Sequence, residues 1–309
     1  MLKQSFRFRA GDGTAIFVFK WSPEKLDKAR GVVQIAHGMA EHARRYGDFA
    51  EALVRAGYIV YANDHRGHGK TAGSPENIGF FADKDGWELV VEDMHHLTGI
   101  IHEENPGRPV FLFGHSMGSL LARNYSFLYG KEIEGVILSG TAGDPGFMGT
   151  LGLVLAKWEM KRMGKRAKSP LLNRLTFAGY NKPFKPTRTE FDWLSRDQAE
   201  VDKYIADPYC GGIFTANFFY DLLRGMKEIN RWDNIIKTPK ELPICLLSGD
   251  KDPVGGNTKG VMQVYRAYQK AGIRDLSYRF YQDGRHEILK ELNREEVISD
   301  IIDWLNAHC

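Results

Sequence analysis

Short apolar runs alternate along this chain with longer segments whose apolar residues recur every three or four positions. Residues 6–9 and 15–21 instead place apolar and polar side chains in turn, on either side of Gly11-Asp12-Gly13. That pattern predicts an antiparallel hairpin turning at the glycines. From Gly31 onward the runs at 32–35, 58–61, 110–113, 136–138 and 244–247 are nearly continuous in apolar residues, as strands covered on both faces require. Segments 44–56, 87–104, 117–128, 258–271 and 295–306 fill the gaps with apolar residues at helical spacing. Strands alternating with helices predict a mostly parallel sheet with helices on both faces.

The rhythm stops between Thr141 and about Lys240, where helical patches and many aromatics appear without strand and helix in turn. The stretch reads as an insertion that caps the C-terminal edge of the sheet. No repeat of solenoid length and no low-complexity tract interrupts the chain.

Composition narrows the class only modestly. With 43% hydrophobic and 26% charged residues, the 309-residue chain has the makeup of a globular protein rather than a disordered or fibrous one. The net charge of +3 is too even for general attraction to nucleic acid, so no nucleic-acid partner is expected. Cys210, Cys245 and Cys309 are odd in number and far apart, which indicates neither a disulfide framework nor a zinc ribbon. The first ten residues lack the apolar core of a signal peptide, and no apolar run approaches bilayer length. A cytoplasmic setting is expected.

Candidate chemistry begins at Gly114-His115-Ser116-Met117-Gly118, a GxSxG sequence that follows the apolar run 110–113 and precedes a helical pattern. With 33 glycines and 12 serines, chance alone gives such a match somewhere in roughly one chain in seven, so the weight rests on the strand-turn-helix context. Glycine on both sides lets the backbone turn tightly enough to present Ser116 as a nucleophile. A serine hydroxyl needs a neighbouring imidazole to take its proton. His286, in Asp283-Gly284-Arg285-His286-Glu287, lies in the loop after the strand-like 276–281, where it would reach the same sheet edge. His95 and His96 fall within a predicted helix and His308 at the chain end, which suits solvated roles. The residue that orients the imidazole should come from 246–254, which offers Asp250 and Asp252. Asp252 is preferred because it fits the Gly-x-x-Asp spacing common in this loop. The developing oxyanion needs N–H donors, assigned to the backbone of Met117 and of Met39 in the loop after the first parallel strand. A metal reading of His37 and His42 is set aside, since their spacing does not match HExxH and no cysteine lies near them in sequence.

Together the stretches His37-Gly38-Met39-Ala40-Glu41-His42 with Arg45-Tyr46, Asp64-His65-Arg66-Gly67-His68-Gly69, Gly114 to Gly118, Gly249 to Val254 and Gly284 to Glu287 resemble the monoacylglycerol lipase and lysophospholipase branch of the α/β-hydrolases. The resemblance implies an α/β-hydrolase core of residues 1–140 and 240–309, a helical cap at 141–239, and hydrolysis of a small-molecule ester or lipid without cofactor or metal. A thioesterase, an acyltransferase or a non-catalytic receptor would keep the same residues. Lys70 stands where the family often has serine, and Asp64 to Gly69 reads as a turn with buried polar anchors. In the cap, residues 149–168 join an apolar stretch to Lys157, Lys161, Arg162, Lys165, Arg166 and Lys168, suited either to transient contact with a membrane surface or to an ordinary solvated helix. Phe214, Phe218, Phe219 and Tyr220 form an aromatic cluster that would serve as an acyl tunnel or as plain core.

Overall fold

Eight strands form one sheet: β1 (Leu2–Arg9), β2 (Ala15–Ser22), β3 (Gly31–Ala36), β4 (Tyr58–Asn63), β5 (Val110–His115), β6 (Gly135–Ser139), β7 (Ile244–Gly249) and β8 (Leu276–Tyr281). The structure is a computed structural model describing residues 1–309. The spatial order is β1-β2-β4-β3-β5-β6-β7-β8, with β2 antiparallel to both neighbours and every other pairing parallel. The expected hairpin is therefore the antiparallel edge of an α/β-hydrolase sheet.

The helices are α1 (Gly47–Arg55), α2 (Gly69–Ala72), α3 (Gly86–Glu104) and α4 (Met117–Tyr129), then α5 (Gly146–Met163), α6 (Pro170–Phe177), α7 (Gln198–Ala206), α8 (Ala216–Ile229) and α9 (Trp232–Ile235), and finally α10 (Lys259–Ala271) and α11 (Arg294–Ala307). All of α5 to α9 fall between β6 and β7. The segment predicted as one helix from residue 44 opens instead with a 3-10 turn, Ala43–Tyr46, before α1. The Asp64 carboxylate draws in the Ala43 N–H at 2.8 Å and tightens the entry, a tertiary effect that apolar spacing does not report.

Period-two alternation explains why the central strands hold. Val110 and Leu112 of β5 face one apolar core and Phe111 and Phe113 the other, and β6 and β7 divide in the same way. Both faces are covered, so the strands carry almost no polar residues. Gln34, in the middle of β3, is one exception, and it is satisfied: its Nε2 donates to Met94 O at 2.8 Å and its Oε1 accepts from Thr98 at 2.7 Å, while Asn63, His115, Ser139 and Ser248 stand at or next to the C-terminal ends of their strands.

The Asp64 to Gly69 turn is structural in its bonding. Arg66 bridges Asp12 of the hairpin turn and Asp93 of α3, while Asp64 also accepts the Lys70 N–H at 2.7 Å. The exposed Lys70 side chain lies over the Phe17 ring at 4.6 Å. Three imidazoles, His37, His65 and His68, cluster beneath, with ring centroids 4.2 and 5.1 Å from His37. His37 Nε2 accepts the His65 N–H at 3.0 Å, so its proton sits on Nδ1 and goes to Gly38 O at 2.7 Å.

Burial holds His65 and His68 at about 3 and His37 well below its ordinary value. In the unfolded chain they take up protons below about pH 6.5. With folded values below unfolded ones, their contribution to stability is present above that pH and is lost as the pH falls toward 3. His115, held at about 4, adds a fourth group in the same sense, and carboxyls held below their ordinary values, such as Asp12 and Glu41, add to the loss near pH 4. Asp64, Asp93 and Asp221, which burial raises, oppose it in part, while the raised His286 matters only above about pH 6.5, where the unfolded chain has not yet taken up that proton. Tm measured by calorimetry should therefore fall between about pH 6.5 and 4, with up to about 1.4 kcal/mol lost per pH unit for each net proton. A flat profile over that range would contradict the neutral buried cluster.

Candidate active site

Between the last residue of β5 and the first of α4 the chain reverses through Ser116 at φ +53° and ψ −120°. A residue with a Cβ is strained there by on the order of 1–3 kcal/mol and needs surroundings that enforce the turn. Ser116 N–H donates to Ser139 O at 2.9 Å, and Ser116 O accepts from Ser119 N–H at 2.9 Å. Backbones also cross too closely for side chains: a Cβ on Gly118 would strike the Ala36 carbonyl, and one on Gly114 the Gly118 carbonyl. The two glycines of the motif are thus required by close approach, and Ser116 is left half-buried at the sheet edge.

His286 and Asp252 meet on the same edge. His286 Nδ1 lies 3.0 Å from both Asp252 oxygens, and both side chains are almost fully buried. A carboxylate only accepts, so Nδ1 carries the proton and Nε2 is free to accept one. Burial works to lower the His286 pKa, but the charge and hydrogen bond of Asp252 outweigh it and raise it. His115, with its ring 4.8 Å away, is held down to about 4 by burial and by the charge of His286. Of the two imidazoles, His286 holds a proton the more readily. Asp250 is not brought to either; its side chain points partly to solvent and pairs with Lys251. His95, His96 and His308 lie elsewhere, bonded or packed at the surface.

Ser116 and His286 wall one cavity, although no hydrogen bond joins them directly. Such contacts are commonly long in unliganded sites and tighten on binding. Met39 and Met117 line the same cavity. As the first residue of α4, Met117 has an N–H that its helix does not use, and the Met39 N–H is outside every backbone hydrogen bond.

Residues that sequence reasoning passed over fix the shape of this loop. Glu41 accepts the Gly38 N–H at 2.6 Å, the Tyr46 hydroxyl at 2.7 Å and Arg45 at 2.7 Å. Arg45 also grips Glu287 with two bonds of 2.6 and 2.8 Å, so one guanidinium joins the Met39 loop to the residue after His286. Against the cost of burial, the Arg45 charge holds Glu41 below its ordinary value. From the insertion, Tyr204 hydroxyl and Gly211 N–H both donate to Ala40 O, at 2.9 and 3.0 Å. The Trp193 ring lies tilted against His286 at 5.2 Å, and the Trp193 carbonyl accepts the His286 N–H at 3.3 Å. Glu41, Arg45 and Glu287 stand in the motifs quoted above, but nothing local in them marks a partner as far as 242 positions away.

The cavity, about 1180 Å³, is walled largely by apolar side chains of the inserted helices, among them Met148, Leu151, Leu172 and Leu222. Of the aromatic cluster, Phe219 reaches this wall. Phe214 and Phe218 turn away into the core against His68 and Phe81, so the tunnel reading applies to Phe219 alone.

Residues 27–293 match the family model of serine aminopeptidase, S33 (Hydrolase_4). The chain is 29% identical over 304 residues to a monoacylglycerol lipase of Mycolicibacterium smegmatis, covering 97% of this chain and 96% of that protein. It is 29% identical over 297 residues to the monoglyceride lipase of Homo sapiens, covering 96% and 86% of the two chains. The structure superposes with a TM-score of 0.92 and 31% identity on a thermostable carboxyl esterase from Bacillus coagulans in complex with glycerol, over 100% of this chain and 99% of that one.

Proposed function

Since the chain belongs to the serine aminopeptidase S33 (Hydrolase_4) family and is a serine-type hydrolase, we propose that it hydrolyses monoacylglycerols through Ser116, His286 and Asp252. The observation that carries this reading is the buried His286 and Asp252 pair sharing one large apolar cavity with the strained Ser116. Ser116 Oγ attacks the ester carbonyl carbon as its proton passes to His286 Nε2, and Asp252 stabilises the imidazolium. Met39 and Met117 N–H groups hold the oxyanion. The C–O bond to glycerol then breaks, and the leaving oxygen takes the proton from His286. Water repeats the sequence on the acyl-enzyme, releasing fatty acid and restoring Ser116.

Apolar walls supply the binding of a single acyl chain, at roughly 25 cal/mol per Å² removed from water. With Arg45 paired to Glu41 and Glu287, and Arg174 on the wall alongside Glu190, the residues around the cavity carry one net negative charge, which favours a neutral glycerol headgroup over the phosphate of a lysophospholipid. Residues 141–239 act in this reading as the cap of a core made of 1–140 and 240–309, and α5 is its contact with lipid. Phe147, Val154 and Trp158 expose more than half of their surface along α5, beside Lys157, Lys161 and Arg162. That face can rest on a lipid surface, while no helix is long and apolar enough to cross a membrane.

Turnover of monoacylglycerols and of aryl esters of graded chain length provides the test. Ser116→Ala should abolish turnover, and Asp252→Asn should lower kcat by about 10⁴, whereas Asp250→Asn should lose less than about tenfold. Equal inactivity of wild type and Ser116→Ala across the panel would favour a receptor, and a larger loss in Asp250→Asn would move the acid.

The pH profile of kcat/KM should fall on the acidic side through a value above the ordinary 6.5 of histidine, because the base must be neutral and Asp252 raises its pKa. An acidic limb lying well below 6.5 would contradict that environment.

On vesicles containing anionic lipid, Phe147→Ser combined with Val154→Ser should reduce co-sedimentation while short soluble esters are cleaved as before. Unchanged sedimentation would leave α5 as a solvated helix.

A further inference from the structure

We propose that His42, Asp207 and Cys210 form a binding site for a borderline-soft divalent cation of the zinc class, outside the ester-binding cavity. The three residues come from two separate segments. His42 follows the Met39 loop, and Asp207 and Cys210 sit in the turn after α7, 165 positions away from it. One nitrogen, one carboxylate oxygen and one sulfur of these side chains lie within 4.8 Å of one another. Tetrahedral zinc, with bonds of about 2.0–2.3 Å, holds its donors about 3.5 Å apart, so small side-chain rotations suffice. The donor set decides the metal, since thiolate with imidazole selects zinc-class ions over magnesium or calcium.

Local bonding already gathers the donors. Cys210 N–H donates to Asp207 O at 3.0 Å and Tyr209 N–H to Asp207 Oδ1 at 2.9 Å, which folds the sulfur back over the carboxylate. His42 Nε2 lies 2.9 Å from Asp207 Oδ2, with the Tyr209 ring against the imidazole at 6.2 Å. The Asp207 side chain is 31% exposed, which leaves an entry path and room for water as a fourth ligand. None of the three lines the cavity that Ser116 and His286 share.

Charge permits the loading. Arg45 faces Cys210 and opposes a cation, but its charge is met by Glu41 and Glu287 in direct ion pairs. The Asp207 carboxylate already accepts from Tyr209 N–H through Oδ1 and faces His42 Nε2 through Oδ2, so an oxygen is presented to the site. Binding would expel the Sγ proton to solvent, and the cation would take the place of the proton between Nε2 and Oδ2, which moves to Nδ1. The bond so formed staples the Asp207 turn to the loop that carries Met39, alongside the Tyr204 and Gly211 bonds to Ala40 O.

The test is titration of the reduced full chain with cobalt(II) chloride, followed by zinc chloride. A thiolate-to-cobalt absorption band should saturate at one equivalent and vanish on adding zinc. It should be absent in Cys210→Ser and weakened in Asp207→Asn, and intact in Cys309→Ser. Zinc at about a hundredfold excess over its Kd should raise the Tm of wild type by about 4 °C or more, and should not raise that of Cys210→Ser. Melts of the metal-free variants establish that each is folded. No band in the wild type, a band that persists in Cys210→Ser, or one that is lost in Cys309→Ser would overturn the site.

Discussion

Ser116 is held in a conformation it would not adopt alone, and the rest of the molecule is arranged so that the chain has no alternative. The sheet supplies the Ser139 carbonyl for its N–H, α4 begins immediately after it, and the Gly114 and Gly118 crossings leave no room for the backbone to relax. The strain is small against the apolar burial on both faces of the central strands, so a rigid scaffold can sustain it. In the proposed mechanism, a hydroxyl fixed in this way meets an imidazole with no large loss of freedom at the moment of reaction.

A second constraint acts through buried charge. Arg45 lies between Glu41 and Glu287 with little access to water, an arrangement whose desolvation cost is offset only because every partner is present. The gain is geometric: the loop bearing Met39 and the loop bearing His286 cannot shift independently. The insertion adds two further anchors, Trp193 on the His286 loop and Tyr204 with Gly211 on Ala40. The segment that covers the cavity is therefore also bonded to the loops that carry Met39 and His286.

Local physics made much of this legible. Short continuous apolar runs, bounded by turns and alternating with helical segments, read as strands covered on both faces, and the flanking helices follow from 3.6-residue spacing. Departures come where a distant residue intervenes, as when Asp64 tightens the entry to α1 or when Phe214 and Phe218 pack on His68 rather than on the cavity. Spacing favoured Asp252 over Asp250, and the fold places Asp252 on His286 while turning Asp250 outward. Metal ligation by His42 was set aside because no cysteine stood near it in the chain, yet folding brings Cys210 to it.

By itself the sequence determined the strand and helix pattern, the glycines that permit the Ser116 turn, and which histidine occupies a loop at the sheet edge. These depend on side-chain periodicity and backbone freedom, which act over a few residues. Only the tertiary structure decided which carboxylates meet Arg45, which aromatics face the cavity, and that His42 and Cys210 come close together. Those contacts join segments up to 242 positions apart, where proximity is set by the packing of whole elements and leaves no mark on the residues nearby.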